Sequence, residues 1–279
     1  MNGYGVSLSR PMKQLRVILL CALPVLAQPP AGQPPSTANQ LGPVAQETAD
    51  QAKALVAQMI QALGGDAYLN LQDVSQQGRF YSFFRGEPTS TGIPFWRFVK
   101  FPDKERIELT KHRDVVDIFA GDKGYEITYK GTAALDPKQL SDYLRRREHS
   151  LEWVLRQWLK EPGVVLLYEG TAIAADKPAD KVSVLNARND SVTLYIDSST
   201  HLPIKKTYSW RDPTDQLRNT EDEVYDAYRL TEGIMTPYSI TRFYNGETSA
   251  QRFLSTVSYN QNLSDSMFDA KVPAEIPKK

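Results

Sequence analysis

Residues 74–130 read VSQQGRFYSFFRGEPTSTGIPFWRFVKFPDKERIELTKHRDVVDIFAGDKGYEITYK. Their hydrophobic period is two. Five runs suit strands: VSQQGRFYSFF, FWRFVKF, RIELTK, DVVDIFA and YEITYK. The connectors RGEPTSTGIP, PDKE, HR and GDKG are too short for parallel crossovers, which need a dozen or more residues, so neighbouring strands are expected to be antiparallel. Phe80, Tyr81, Phe83, Phe84, Phe95, Trp96, Phe98 and Phe101 fall on both faces of these strands. A half-buried antiparallel strand carries polar residues on one side. The surplus of apolar faces points to a lined groove or cavity, or to a partner surface.

Upstream, Ala52, Leu55, Val56, Met59, Ile60 and Leu63 recur at helical spacing and form one stripe, closed by Gly64-Gly65 as a C-cap. Thr48 or Asp50 is a candidate N-cap. Downstream, LDPKQLSDYLRRREHSLEWVLRQWLKEPG is helical, either as two helices or one bent one. Asp136 caps it, Pro137 sits in its first turn and Pro162-Gly163 stops it. Leu140, Tyr143, Leu144, Leu151, Val154, Leu155, Trp158 and Leu159 share one face. Strands resume as VVLLYEGTAIA, DKVSVLNA, SVTLYID, PIKKTYSW, EDEVYDAYRL, TPYSITRFYNGE and RFLSTVSYN, with RND, SSTHL and NGETSAQ as turns. About a dozen strands at this spacing, with two helical segments, predict an α+β domain over residues 45–273 built on a sandwich or barrel. A tail follows at 274–279.

The N-terminus has the pattern of an export signal. Lys13 and Arg16 precede an apolar run, Val17–Leu26, too short to span a bilayer, and Val25-Leu26-Ala27 offers small residues for cleavage after Ala27. Either Met1 or Met12 starts the chain. Cys21, the single cysteine, lies inside the apolar run behind Leu19-Leu20, where a lipid-attachment site calls for a small residue, so it reads as a signal-peptide hydrophobe. Removing residues 1–27 takes Arg10, Lys13 and Arg16 from 33 basic residues and nothing from 33 acidic ones, so the mature chain carries a net charge of −3 and no cysteine. It must fold by burial alone. Residues 28–44, with paired prolines, read as a flexible leader. The formal net charge of zero on the full chain gives nucleic-acid binding no electrostatic support.

Catalytic motifs are scarce. His112, His149 and His201 have no ligand-spaced partners and read as surface histidines. YIDSST, ending at Thr200, has Ser199 where an aspartic-protease loop has glycine, and there is no second copy. No nucleophile elbow, Walker loop, dinucleotide fingerprint or zincin motif is present. Glu221, Asp222 and Glu223 read as the wet side of a strand; only convergence in a cleft with raised pKa values would favour an enzyme. Arg145-Arg146-Arg147 reads as a solvated helix face. No metal, cofactor or catalytic residue is expected.

AQMIQALGGDAYLNLQDVSQQGRF, VTLYIDSSTHLPIKK, DAYRLTEGIMTPYSITRFYNGE and VSYNQNLSDSMFD resemble, in order and spacing, periplasmic outer-membrane lipoprotein-sorting proteins, relatives of the LolA/LolB lipoprotein carriers. The shared steps are an Asp, a turn and Leu-Pro; Gly-Ile-x-x-Pro; and a closing Asn-x-x-Leu-x-x-x-x-Phe. The resemblance runs from about Ala49 to Pro273. It implies a curved antiparallel unclosed β-barrel of 11–12 strands, with an N-terminal helix and a mid-chain helical insertion covering the concave face. It also implies a periplasmic carrier for acyl chains of lipids or lipoproteins, with an inner- or outer-membrane envelope partner and no catalysis. The cavity candidates are Phe80, Trp96, Phe98, Leu109, Phe119, Trp153 and Trp158, with the Trp153/Trp158 helix as a lid. The alternative is an envelope interaction protein that presents the RFLSTVSYN edge or an aromatic patch.

Overall fold

The computed structural model describes residues 43–270. The signal sequence with Cys21, most of the leader and the 274–279 tail lie outside the described residues. Helix α1 (Pro43–Leu63) and the single turn α2 (Asp66–Leu69) lead into β1 (Asp73–Phe84). From β1 the chain meanders outward through β2 (Glu87–Pro88), β3 (Ile93–Lys100), β4 (Lys104–Leu109), β5 (Val115–Ala120), β6 (Lys123–Thr128) and β7 (Gly131–Ala134). Helices α3 (Pro137–Glu148) and α4 (Leu151–Arg156), with a 3-10 turn at Trp158–Lys160, carry it to the opposite edge of the sheet. It then returns through β8 (Val165–Ala174), β9 (Lys177–Leu185), β10 (Ser191–Asp197), β11 (Pro203–Arg211), β12 (Arg218–Thr231), β13 (Ile234–Tyr244) and β14 (Glu247–Tyr259).

The result is one 14-stranded sheet in the order β7-β6-β5-β4-β3-β1-β14-β13-β12-β11-β10-β9-β8, with β2 paired to β1. The ends β7 and β8 are not paired with each other, so the antiparallel barrel is unclosed. The expected strand count is exceeded because β2 and β7 are strands of only two and four residues, too short to show a period in the sequence. The NGETSAQ turn shrinks to Asn245-Gly246, and β14 begins at Glu247. Strand β14, which includes RFLSTVSY, pairs with β1 on one side and β13 on the other, so it is the seam of the two arms and not an edge.

The seam bends at a bulge between Gln77 and Gly78. A Cβ at Gly78 would sit 2.1 Å from the Phe253 carbonyl oxygen, so only glycine permits this approach. Helix α1 begins at Pro43, which puts Thr48 and Asp50 inside it. Its stripe Ala52, Val56, Met59 and Leu63 is buried against the sheet, chiefly β8, with β9 and β13 beside it. The predicted C-cap forms as a Schellman motif: Gly64 N–H donates to Gln61 O at 3.1 Å and Gly65 N–H to Ile60 O at 2.8 Å. Gly64 has φ 133° and faces Gly233 O, 2.8 Å from where its Cβ would be, so the helix end seats directly on the β12–β13 turn.

Two helices form mid-chain, joined at His149-Ser150. Asp136 accepts from Lys138 N–H and Gln139 N–H at the start of α3, and Ser150 accepts from Trp153 N–H at the start of α4. They differ in depth. Leu151, Val154, Leu155 and Trp158 are at most 5% exposed, whereas α3 has no buried residue. The core therefore sits where α1 and α4 meet β9–β14, packed by Val182, Val184, Val192, Leu194, Ile196, Tyr208 and Ile234. A smaller cluster lies on the outer face of β3–β6: Val116, Ile118 and Phe268, with Phe98, Ile127, Leu263 and Met267 packed against it. The closing Asn-x-x-Leu-x-x-x-x-Phe motif explains it. Asp73 accepts from Gln261 N–H and Leu263 N–H, Asn260 accepts from Gln72 N–H, and the 3-10 turn Asp265–Phe268 straps the outer face.

Candidate functional site

The arm β1–β7 is not filled by a buried helix, and a cavity of about 540 Å³ remains on its inner side. Its floor follows from strand parity. Val74, Gln76 and Phe80 on β1, Phe95, Arg97 and Val99 on β3, Glu105, Ile107 and Leu109 on β4, and Asp117 and Phe119 on β5 face inward. Residues from β12–β14 close one side, and α3 and α4 roof it.

Helix α3 is held down by a few side chains. Tyr143 stacks on Phe119 with ring centroids 3.4 Å apart and donates its hydroxyl to Glu105 at 3.0 Å. Arg147 donates to Gly121 O at 2.6 Å and Asp103 O at 3.3 Å. Arg145 pairs with Asp142 at 2.6 Å and lies 3.9 Å above the Trp210 ring. At Gly124 any Cβ would come within 2.7 Å of Leu135 Cδ1 and 2.9 Å of Leu140 Cδ1, so this glycine lets the start of α3 settle on β6.

The cavity is only partly apolar. A charged band crosses the inner face. Arg97 donates to Glu105 at 2.6 Å and to Gln76 at 3.0 Å. Glu223 accepts from Arg242 at 3.2 Å and from the Tyr225 hydroxyl at 3.0 Å, and pairs with Lys206 at 3.2 Å. Arg242 also lies 3.4 Å from Glu221. Burial alone would raise Glu223, but Lys206 and Arg242 hold its carboxyl far below the usual range. Burial likewise opposes ionisation of Glu105, and Arg97 outweighs it, leaving Glu105 lowered. Among the described residues, Asp117 has no cation beside it. Burial, with Glu126 and Glu105 nearby, raises it to about 6.

This band corrects several expectations. Glu221 and Glu223 face the interior, while Asp222 turns outward to Lys205 at 3.0 Å. They do not form a cleft of raised carboxylates, because Glu223 is lowered. Arg146 and Arg147 line the cavity instead of facing solvent. His149 is buried, 4.4 Å from the Tyr208 ring in a stacked pair, and burial lowers its pKa. Among the described residues, no group of His, Cys, Asp and Glu is arranged to hold a metal ion, and no helix is long and apolar enough to cross a membrane.

No family model matches the chain, and no curated protein matches it. Solved structures do. A DUF1329 family protein from Desulfovibrio piger aligns at TM-score 0.56 and 13% identity, over 80% of this chain and 97% of that one. A LolA superfamily protein from Nitrosomonas europaea aligns at TM-score 0.50 and 11% identity, over 78% and 97%. The fold is LolA-like. An outer-membrane lipoprotein-sorting domain from Vibrio parahaemolyticus also matches, at TM-score 0.51 and 8% identity over 81% and 97%.

Within this LolA-like frame, Phe80, Leu109, Phe119 and Trp153 come together on the cavity wall. Trp96, Phe98 and Trp158 lie off it. Trp96 and Phe98 have the opposite parity to Phe95, Arg97 and Val99. Trp96 lies 5.0 Å from the Arg113 guanidinium, and Phe98 packs under the C-terminal strap. Trp158 is fully buried in the core beside His149. Helix α4 is thus seated in the core, with Trp153 on the cavity wall, and α3 is the part of the roof with no buried residue. The inward charges are hidden in the sequence because alternation with apolar residues is also the pattern of a solvated strand face.

Proposed function

We propose that this protein is an exported, periplasmic carrier that holds an acyl chain of a lipid or lipoprotein in the cavity beneath α3 and performs no catalysis. The observation that carries the reading is the hollow itself. Its volume of about 540 Å³ falls within the range of roughly 300–1,000 Å³ common to small-molecule sites. Its apolar walls, from Phe80, Ile93, Phe95, Leu109 and Phe119, suit hydrocarbon. Each methylene buried there contributes about 0.8 kcal/mol, so one chain binds strongly without any reacting group. A shift of α3 would open the cavity by releasing the contacts of Leu140, Tyr143, Arg145, Arg147 and Glu148, with no ladder hydrogen bond broken. The likeness to a lipoprotein-sorting domain and a LolA superfamily protein supports the same reading, as does the export pattern at Lys13–Ala27.

A second reading, an envelope interaction protein, is favoured by one observation: Tyr81 and Phe253 form an edge-on pair on the outer face of the seam, with Phe253 43% exposed. Native mass spectrometry of protein purified from its own envelope separates the two. A lipid-sized adduct lost on delipidation is expected. A bare mass that stays bare after incubation with long-chain lipid, with a stoichiometric protein partner in its place, would overturn the carrier reading.

A further inference from the structure

Arginine cannot shed its charge in a protein interior, so a guanidinium turned inward needs acceptors. The arginines around the cavity mostly have them. Arg97 has Glu105 and Gln76, and Arg242 has Glu223. Arg147 has the Gly121 and Asp103 carbonyls, and Arg156 those of Leu69 and Leu71. Arg252 is the exception on the sheet. It lines the cavity from the middle of β14, and among the described residues no hydrogen bond or ion pair reaches it.

Its surroundings sharpen the anomaly. Across the ladders its neighbours are Phe80 on β1 and Ile240 on β13, both apolar cavity walls. The carboxylates within electrostatic reach, Glu105 and Glu223, are already paired with Arg97 and with Lys206 and Arg242. Arg97 and Arg242 add like charge. Burial and these two cations pull the Arg252 pKa down to about 10, the mark of a cation poorly compensated by its own protein. On the roof Arg146 also lines the cavity near Arg242, again with no hydrogen-bond or ion-pair partner among the described residues. Both are half-buried and border the cavity; a cation left unpaired there carries a desolvation cost that an incoming anion relieves.

We propose that the cavity takes a long-chain amphiphile by its oxyanion headgroup, a carboxylate or phosphate, with Arg252 as the pairing cation and Phe80 and Ile240 flanking the start of the chain. The proposal rests on the acyl-carrier reading and adds the ligand's polar end to it. Guanidinium geometry suits either oxyanion through two parallel N–H···O bonds.

Isothermal titration of delipidated protein with hexadecanoate, hexadecanol, hexadecyl phosphate and inorganic phosphate tests it. Both charged amphiphiles are expected to bind at least tenfold more tightly than the alcohol, and inorganic phosphate much more weakly than hexadecyl phosphate. Arg252→Gln should bring the charged amphiphiles down to the alcohol's affinity and leave the alcohol unchanged; Arg252→Lys should recover part of the difference. Because Arg252→Gln removes an unpaired cation, its melting temperature should equal or exceed that of the wild type, which separates lost recognition from lost folding. Equal binding of acid and alcohol by the wild type, or an acid preference that survives Arg252→Gln, overturns the headgroup assignment and leaves the carrier reading standing. Failure of every long-chain probe to bind overturns both. Inorganic phosphate matching hexadecyl phosphate in an Arg252-dependent way overturns the amphiphile in favour of a free oxyanion.

Discussion

The two arms of the sheet have similar ladders and opposite interiors. Under β9–β11, α1 and α4 with the 3-10 turn that follows it insert Val56, Met59, Leu155 and Trp158, and the inner face is filled. Under β1 and β3–β6 the roof is α3, which buries no residue fully, together with the Trp153 side of α4, and a hollow remains. The difference comes from the helices. The stripe Leu151, Val154, Leu155 and Trp158 is apolar on one continuous face, whereas α3 presents Tyr143, Arg146 and Arg147 downward. A helix with an apolar face is drawn into the core. One that faces inward with phenol and guanidinium groups stops at hydrogen-bond distance and leaves space beneath it.

Substitutions can break or sharpen this contrast. The largest effect is expected in the filled arm: Trp158→Ala should cost about 3–5 kcal/mol, because the densely packed site collapses poorly. Chemical denaturation would show it, and a loss under 1 kcal/mol would mean that the filled arm is not close-packed. Next comes the charged band at the boundary of the arms. Glu223→Gln leaves Lys206, 1% exposed, without its carboxylate and should cost about 3 kcal/mol at neutral pH.

A gain of about 1–2 kcal/mol is expected for Asp117→Asn at pH 7.5. Asp117 is held near 6 in the fold against an ordinary 3.8, so the native state keeps its proton longer than the unfolded chain. Its ionisation therefore destabilises progressively as pH rises from about 4 to 6, and the gain of the asparagine variant should vanish below pH 4. Urea melts at both pH values check the sign. A gain independent of pH would detach it from this carboxylate. The smallest effect belongs to the hollow arm: Phe80→Ala, on a wall that already borders empty space, should cost about 1 kcal/mol while weakening binding of a long chain.

Much of the frame was legible in the sequence. The period of two over Val74–Lys130, the Gly64-Gly65 stop and the Asp136-Pro137 start each have a local cause, and each appears where it was read. What stayed hidden depends on the curved sheet as a whole. Trp96 and Phe95 are equally apolar neighbours, and parity alone separates their faces without saying which face is the inner one. The outer face of β3–β5 is itself covered by Phe268, some 170 positions downstream of Phe98, so both faces look buried. The inward charges of Glu105, Glu223, Arg97 and Arg242 look like solvent-facing alternation until their partners, on neighbouring strands, are known. Arg252 has no hydrogen-bond or ion-pair partner among the described residues, so pairing does not reveal it either.

The hollow under α3 as the place of a hydrocarbon chain can be tested by quenching. Of the four tryptophans, Trp153 lines the cavity, while Trp158 is sealed in the core and Trp96 and Trp210 lie off its wall. Each single-tryptophan variant would be titrated with dibrominated stearate. Saturable quenching of Trp153 at one equivalent, with Trp158 unaffected, is the expected result. Quenching that is absent at Trp153, or equal at all four positions, would contradict a chain held in that space.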